Sequence, residues 1–185
     1  LVVLFLCICL ASTGESIHHG TFALFAQAKL QFTARDIGWA FTAAGIVMAL
    51  VQGLIVGRLI NRLGEEQTAA IGIILIGLSF GLFLFMFNIP SSIVFMAVFS
   101  AGIGLIRPSI SAAVSKRTVT AQGAAMGILN GYDSLGRAIG PALGGLMLDQ
   151  GLNLGYYTAI IISFLALLIL IIGTRTSKRI VGQNN

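Results

Sequence analysis

Charge is what this sequence has least of. Asp, Glu, Lys and Arg together make up 9% of its 185 residues, against roughly 25% in a soluble domain, so a water-facing surface cannot be assembled from it. Cysteine is scarce as well: Cys7 and Cys9 stand one residue apart in an apolar run, a spacing that points to neither a disulfide framework nor a zinc site. No N-x-[ST] sequon occurs. A basic segment ahead of Leu1–Thr13 is missing, which argues against a signal peptide there. The chain starts at Leu1 and is apolar from its first residue, so it reads as part of a longer polypeptide.

What is present is length of apolar sequence, with 57% of residues hydrophobic. Apolar stretches run over about 1–28, 37–59, 68–87, 93–114, 121–148 and 152–173, joined by short polar links and followed by a tail over 174–185. A bilayer core of about 30 Å takes about 20 such residues per helix. Unpaired backbone groups exclude anything but helices or a closed barrel in hydrocarbon, and these runs are too long and too unalternating for barrel strands. The expected fold is therefore an all-α membrane protein, a six-transmembrane-helix bundle over 1–173, with no room for a soluble catalytic domain. Among the links, Lys29 and Arg35 lie on one side. Arg58, Arg62, Lys116, Arg117, Arg175, Lys178 and Arg179 lie on the other, which places those links and the tail in the cytoplasm by the positive-inside rule. The net charge of +5 then belongs to membrane topology, and no nucleic-acid partner is implied.

The remaining charges fall inside spans: Glu15 with His18 and His19 in the first, Arg107 in the fourth, Asp133 and Arg137 in the fifth. Each lipid-facing charge at the bilayer centre costs roughly 2.5 to 3.5 kcal/mol, so these groups should face one another or water. At about 100° per residue, Glu15, His18 and His19 share one stripe, and Asn130, Asp133, Arg137, Gly140 and Gly144 share another. Asp133 and Arg137 also have the spacing of an ordinary helix ion pair. Glu15 has no local base, so either it carries a proton or Arg107 pairs with it across the bundle.

The fifth span holds two ladders of glycine at four-residue spacing, Gly123, Gly127 and Gly131, then Gly136, Gly140 and Gly144, which let a neighbouring helix approach to backbone contact. Pro141 and Pro108 each remove one helix hydrogen bond, beside Arg137 and Arg107 respectively. Gly72, Gly77 and Gly81 read as the ordinary glycine content of membrane helices.

Gly136-Arg137-Ala138-Ile139-Gly140-Pro141-Ala142-Leu143-Gly144-Gly145 resembles the G-x-x-x-G-P-x-x-G-G pattern of proton-coupled antiporters in the major facilitator superfamily. Gly57 to Glu66 is similar to the superfamily's cytoplasmic loop signature, carried here by Gly57, Asn61, Arg62 and Gly64. Asn61 stands where the pattern has an acid, and Glu65 and Glu66 replace its basic pair, which speaks against a charge relay in this loop. The resemblance covers essentially the whole chain and implies helices seven to twelve of a twelve-helix transporter. It implies that Glu15, His18, His19 and Arg107 line the central cavity. It places Asn130, Asp133, Gly136, Arg137, Gly140, Pro141, Gly144 and Gly145 at the interface between halves, where rocking opens each side in turn.

The function implied is secondary active transport, proton-coupled efflux of small amphipathic compounds or drugs by an antiporter of the plasma membrane, with Glu15 as proton carrier. The implied partners are the bilayer, a small-molecule substrate, protons and an N-terminal six-helix half; no cofactor or metal is implied. An alternative keeps the fold and moves sugars, organic anions or other metabolites, with Arg107 as the anion contact. Enzyme readings have two hooks. Gly77-Leu78-Ser79-Phe80-Gly81 fits G-x-S-x-G but lies mid-helix without a triad, and Glu15-Ser16-Ile17-His18 is an E-x-x-H without the further acids a di-metal bundle needs. A scaffold subunit would give no reason to bury Glu15 and two histidines.

Overall fold

The computed structural model describes residues 1–118 and 121–182, with side chains through residue 174. Among the described residues there is no strand, and six helices follow one another: α1 (Val2–Leu30), α2 (Ala34–Leu63), α3 (Glu65–Leu84), α4 (Ile89–Arg117), α5 (Gln122–Gln150) and α6 (Leu154–Gly182). Local chemistry sets the ends. Thr33 and Asp36 form a reciprocal capping box that starts α2, and Asn88 and Ser91 form another that starts α4 ahead of Pro90, satisfying amide donors that the first helical turn leaves free. These caps begin α2 and α4 earlier than hydropathy alone places them. α1 ends where Gln31 turns left-handed. Gly64, at φ 87°, closes α2 and opens α3, a backbone conformation that a side chain disfavours. The backbone of α6 continues to Gly182; the side chains of the expected tail, Arg175, Lys178 and Arg179 included, lie outside the described residues.

Five of the six helices are long and apolar enough to cross a membrane. The exception is α5. Its 29 residues have the length, but Asn130, Asp133, Arg137 and its glycines lower its hydropathy. What keeps it in the bundle is α1, against which it packs in parallel over its length, from Tyr132 beside Phe5 to Gly144 beside Thr21. Close contact of Gly136, Gly140 and Gly144 with α1, and the bonds of Asp133 to Ser12 and Arg107, take the place of the hydropathy it lacks.

The main core lies between α1, α3, α4 and α6 and is filled by Phe22, Phe25, Phe80, Phe83, Phe99 and Met96. At the α3–α4 crossing, a β-carbon added to Gly72 would stand 2.8 Å from the carbonyl oxygen of Gly102. Gly72 is thus a contact position and not background composition. Gly81 has open space around it, as background would. The α2 helix is interrupted by a π turn at Val51–Ile55, which turns Val51 onto Gly104 of α4; nothing in the hydropathy pattern announces it. Only 22% of the apolar window of α2 is buried, against 56% for α4, so α2 presents most of its surface outward.

Candidate functional site

Four charges from three helices meet in one network. Arg107 on α4 donates from one terminal nitrogen to Glu15 Oε2 on α1 at 2.7 Å and from the other to Asp133 Oδ2 on α5 at 2.7 Å. Arg137, one helical turn after Asp133, adds its Nε to the same Oδ2 at 3.2 Å. Ser12 of α1 donates its hydroxyl to Asp133 Oδ1. Two carboxylates and two guanidiniums cancel, which is how a bundle tolerates charge at this depth. Sequence spacing pairs Asp133 with Arg137. That pair exists, but it is the longer and more exposed limb, since the Arg137 side chain is 53% exposed and that of Arg107 is 24%. Asp133, expected apart from the cavity group at an interface between halves, is bonded into it through Arg107.

The two acids are held differently. Asp133 accepts from three donors, Ser12, Arg107 and Arg137. Among the described residues Glu15 accepts from Arg107 alone. Protonating Asp133 would therefore disturb three bonds, and protonating Glu15 only one. Glu15 and His19 also open onto a cleft of about 200 Å³ between α1, α2 and α4, lined by Phe41, Met48, Met96, Phe99, Ser100 and Ile103. The apolar lining with one carboxylate edge suits an amphipathic guest. Phe41, Met48, Met96 and Phe99 were not legible as site residues, because an aromatic or a methionine in an apolar span looks the same whether it faces a cleft, a core or lipid.

His18 does not line this cleft. It is fully buried among aromatic rings, with centroids 4.3 Å from Phe99 and 4.5 Å from Phe83. Its Nδ1 lies 3.3 Å from the Tyr156 hydroxyl of α6 and its Nε2 lies 3.4 Å from Met96 Sδ. An Nδ1 that accepts from Tyr156 leaves the proton on Nε2. The shared stripe of Glu15, His18 and His19 splits because adjacent residues on a helix diverge by about 100°. That angle turns His18 into the core and leaves His19 exposed, edge-on to Phe41.

The ladder Gly136, Gly140 and Gly144 faces α1 of the same bundle and not a second half. A β-carbon on Gly140 would sit 2.5 Å from Ser16 Cβ and 2.7 Å from the Thr13 carbonyl oxygen, and one on Gly144 would sit 2.8 Å from Thr21 Cγ2. Gly136 rests on the Cys9 carbonyl, and Pro141 lies against Gly20. The small side chains of Ser12, Ser16 and Thr21 allow this approach from the α1 side. By contrast Gly123, Gly127, Gly131 and Gly145 meet nothing within 4 Å, and Asn130 is exposed beside them.

Gly57, Asn61 and Arg62, expected in a loop, lie in the last turns of α2, with Asn61 and Arg62 exposed and open space around Gly57, and Gly64 alone separates α2 from α3. The two acids that depart from the loop pattern are not idle. Glu65 pairs with Lys116 at 3.0 Å and Glu66 pairs with Arg117, both at the end of α4. Ser79, the centre of the G-x-S-x-G sequence, donates its hydroxyl to the Ile76 carbonyl of its own helix at 2.6 Å, so it is held in a helix turn and not in an exposed elbow.

With this arrangement in view, the family follows from a direct comparison: the model of the Major Facilitator Superfamily matches residues 4–184. The chain belongs to that superfamily. It is thereby an integral membrane protein of a family of transporters. It is similar to multidrug resistance protein 2 of Bacillus subtilis, 30% identical over 158 residues that cover 83% of this chain and 38% of the relative. It is 31% identical to multidrug resistance protein 1 of the same species over 160 residues, 85% of this chain and 40% of that protein. The quinolone resistance protein NorA of Staphylococcus aureus is 26% identical over 173 residues, 94% of this chain and 45% of NorA. The chain thus spans about two fifths of the length of these relatives. Two transporters of solved structure share the fold. A peptide transporter crystallised with sulfate gives a TM-score of 0.79 at 18% identity, covering 92% of this chain and 36% of that one. The human organic anion transporter MFSD10 gives 0.78 at 24% identity, covering 91% and 39%.

Proposed function

We propose that this chain is the C-terminal half of a secondary transporter that exports small amphipathic compounds in exchange for protons, with Glu15 as the proton carrier. The observation that carries the reading is the unequal holding of the two acids. Glu15 keeps one ionic partner and an open cleft beside it, so it can exchange a proton with water or yield its place to a cationic group of the substrate, while Asp133 stays ionised under three donors. The names of the relatives as multidrug and quinolone resistance proteins support an efflux role. On the alternative reading Arg107 is the contact for an anionic metabolite; both of its terminal nitrogens are already on carboxylates, which favours efflux.

The missing half packs over the open faces of α2 and α5, where Gly38, Gly45, Gly53, Gly123, Gly127 and Gly131 leave room for close approach. Rocking of the two halves across that contact gives alternating access. The excess of Lys and Arg in the α2–α3 and α4–α5 links and at the C-terminus orients both ends of the chain to the cytoplasm of a cell whose plasma membrane holds the transporter. The test is transport of ethidium by the full-length protein in liposomes. Glu15→Gln should abolish uphill efflux driven by a pH gradient and retain downhill exchange. Uphill, pH-dependent transport by well-folded Glu15→Gln protein would refute the proton-carrier role.

A further inference from the structure

Asp133 is not needed to carry a proton, yet it is the best-bonded acid in the bundle, and its main partner is the one cation that also holds Glu15. We propose that Asp133 is a positioning residue that makes Glu15 able to titrate: it keeps Arg107 paired whenever Glu15 takes a proton. This inference rests on the role assigned to Glu15 above. Arg107 uses one terminal nitrogen for each acid, so losing the Glu15 contact does not require the Asp133 contact to change. Without a second carboxylate, protonation of Glu15 would strand a mostly buried guanidinium, and that cost would hold Glu15 in its ionised form. Ser12 and Arg137 fix Asp133 in place from α1 and from its own helix, and the ladder Gly136–Gly140–Gly144 keeps α5 at the depth where one arginine reaches both acids.

The groups that bear on Glu15 are few. From α4 it faces Arg107, and from α5 Asp133 and Arg137 through the shared bonds. On its own helix it has His19 at the cleft, and His18 is turned away into the aromatic core. The cleft residues contributed by α2, Phe41, Ala44, Gly45 and Met48, are not titratable, and the buried Tyr156 of α6 is engaged by His18. The effect of Asp133 on Glu15 therefore runs through Arg107.

The experiment is an infrared titration of the full-length protein in liposomes, following the carbonyl stretch of protonated carboxylic acid, with no substrate needed. Glu15→Gln identifies the Glu15 band by removing it; if no band is lost, the proton-carrier reading itself fails. Given that band, Asp133→Asn should move its midpoint to lower pH by about one unit or more, and Asp133→Glu should restore it. Direct charge repulsion between the acids would shift the midpoint the same way, and a double-mutant cycle separates the two. In an Arg107→Gln background, where no guanidinium can be stranded, adding Asp133→Asn should move the midpoint little. An unchanged midpoint in Asp133→Asn, or an equal shift with and without Arg107, would overturn the proposal while leaving the role of Glu15 intact. If Asp133→Asn alone does not fold, Arg107→Gln compared with Arg107→Gln/Asp133→Asn still decides it, since a shift of a full unit there contradicts mediation by Arg107.

Discussion

Two glycine ladders run along α5 at the same four-residue spacing, and their surroundings are opposite. Gly136, Gly140 and Gly144 lie in backbone contact with α1, and Gly123, Gly127 and Gly131 face open space. The two lines are turned about 140° from each other on the helix. Spacing identifies a surface that tolerates close approach; the partner decides whether the approach occurs. For the first ladder the partner is α1, whose Ser12, Ser16 and Thr21 are small where they meet it. For the second we propose the other half of the transporter, so that one helix is fastened on one side and free to slide on the other.

The largest expected effect breaks the fastened side. Gly140→Leu drives a side chain into the Thr13 carbonyl and Ser16, and should destabilise the fold by about 3 kcal/mol, seen as loss of monodisperse protein on gel filtration and a lower thermal midpoint. Gly127→Leu should leave folding unchanged and impair transport alone; equal losses of folded protein from both would end the distinction. Next in size is Arg107→Gln, which leaves two neighbouring carboxylates with less compensation and should cost about 2 kcal/mol by thermal unfolding in detergent. Arg137→Gln, removing the exposed limb, should cost about 0.5 kcal/mol. A reversed order would mean that the local helix pair, and not the bridge between helices, holds the network. The same contrast can be sharpened at α3. Gly72→Ala should lower the thermal midpoint, and Gly81→Ala, with nothing near it, should not. Smallest of all, Lys116→Ala should shift stability by less than about 0.5 kcal/mol, because its side chain is 72% exposed where it meets Glu65.

The helical class of the fold was legible because hydrocarbon leaves the backbone few options, and the ionisable residues of the site were legible because charge inside a span must have a reason. Their pairing was legible only in part: a bond from Arg107 to Glu15 across the bundle was one of two expectations and is present, whereas the bond from Arg107 to Asp133 was not foreseen. Arg107 lies far from both Glu15 and Asp133 in sequence, and only the packing of α4 against α1 and α5 brings them together, whereas the four-residue spacing of Asp133 and Arg137 made the weaker contact the visible one. The histidines show the same limit. Periodicity put His18 and His19 on one broad face, but Phe83, Phe99 and Tyr156, which close over His18, come from three other helices. Gly72 looked like composition because its partner, Gly102, is on another helix. The π turn at Val51–Ile55 changes the helical register by one residue, and periodicity carries no mark of so local a shift.

Proton coupling through Glu15 has one direct measurement: proton release on binding of substrate, with ethidium as the probe, to the full-length protein in weakly buffered detergent containing a pH-sensitive dye. The wild-type protein should release about one proton for each ethidium bound. Glu15→Gln should bind ethidium and release none. Ethidium binding by Glu15→Gln with the same proton release as the wild type would contradict the account and move the coupling to another group.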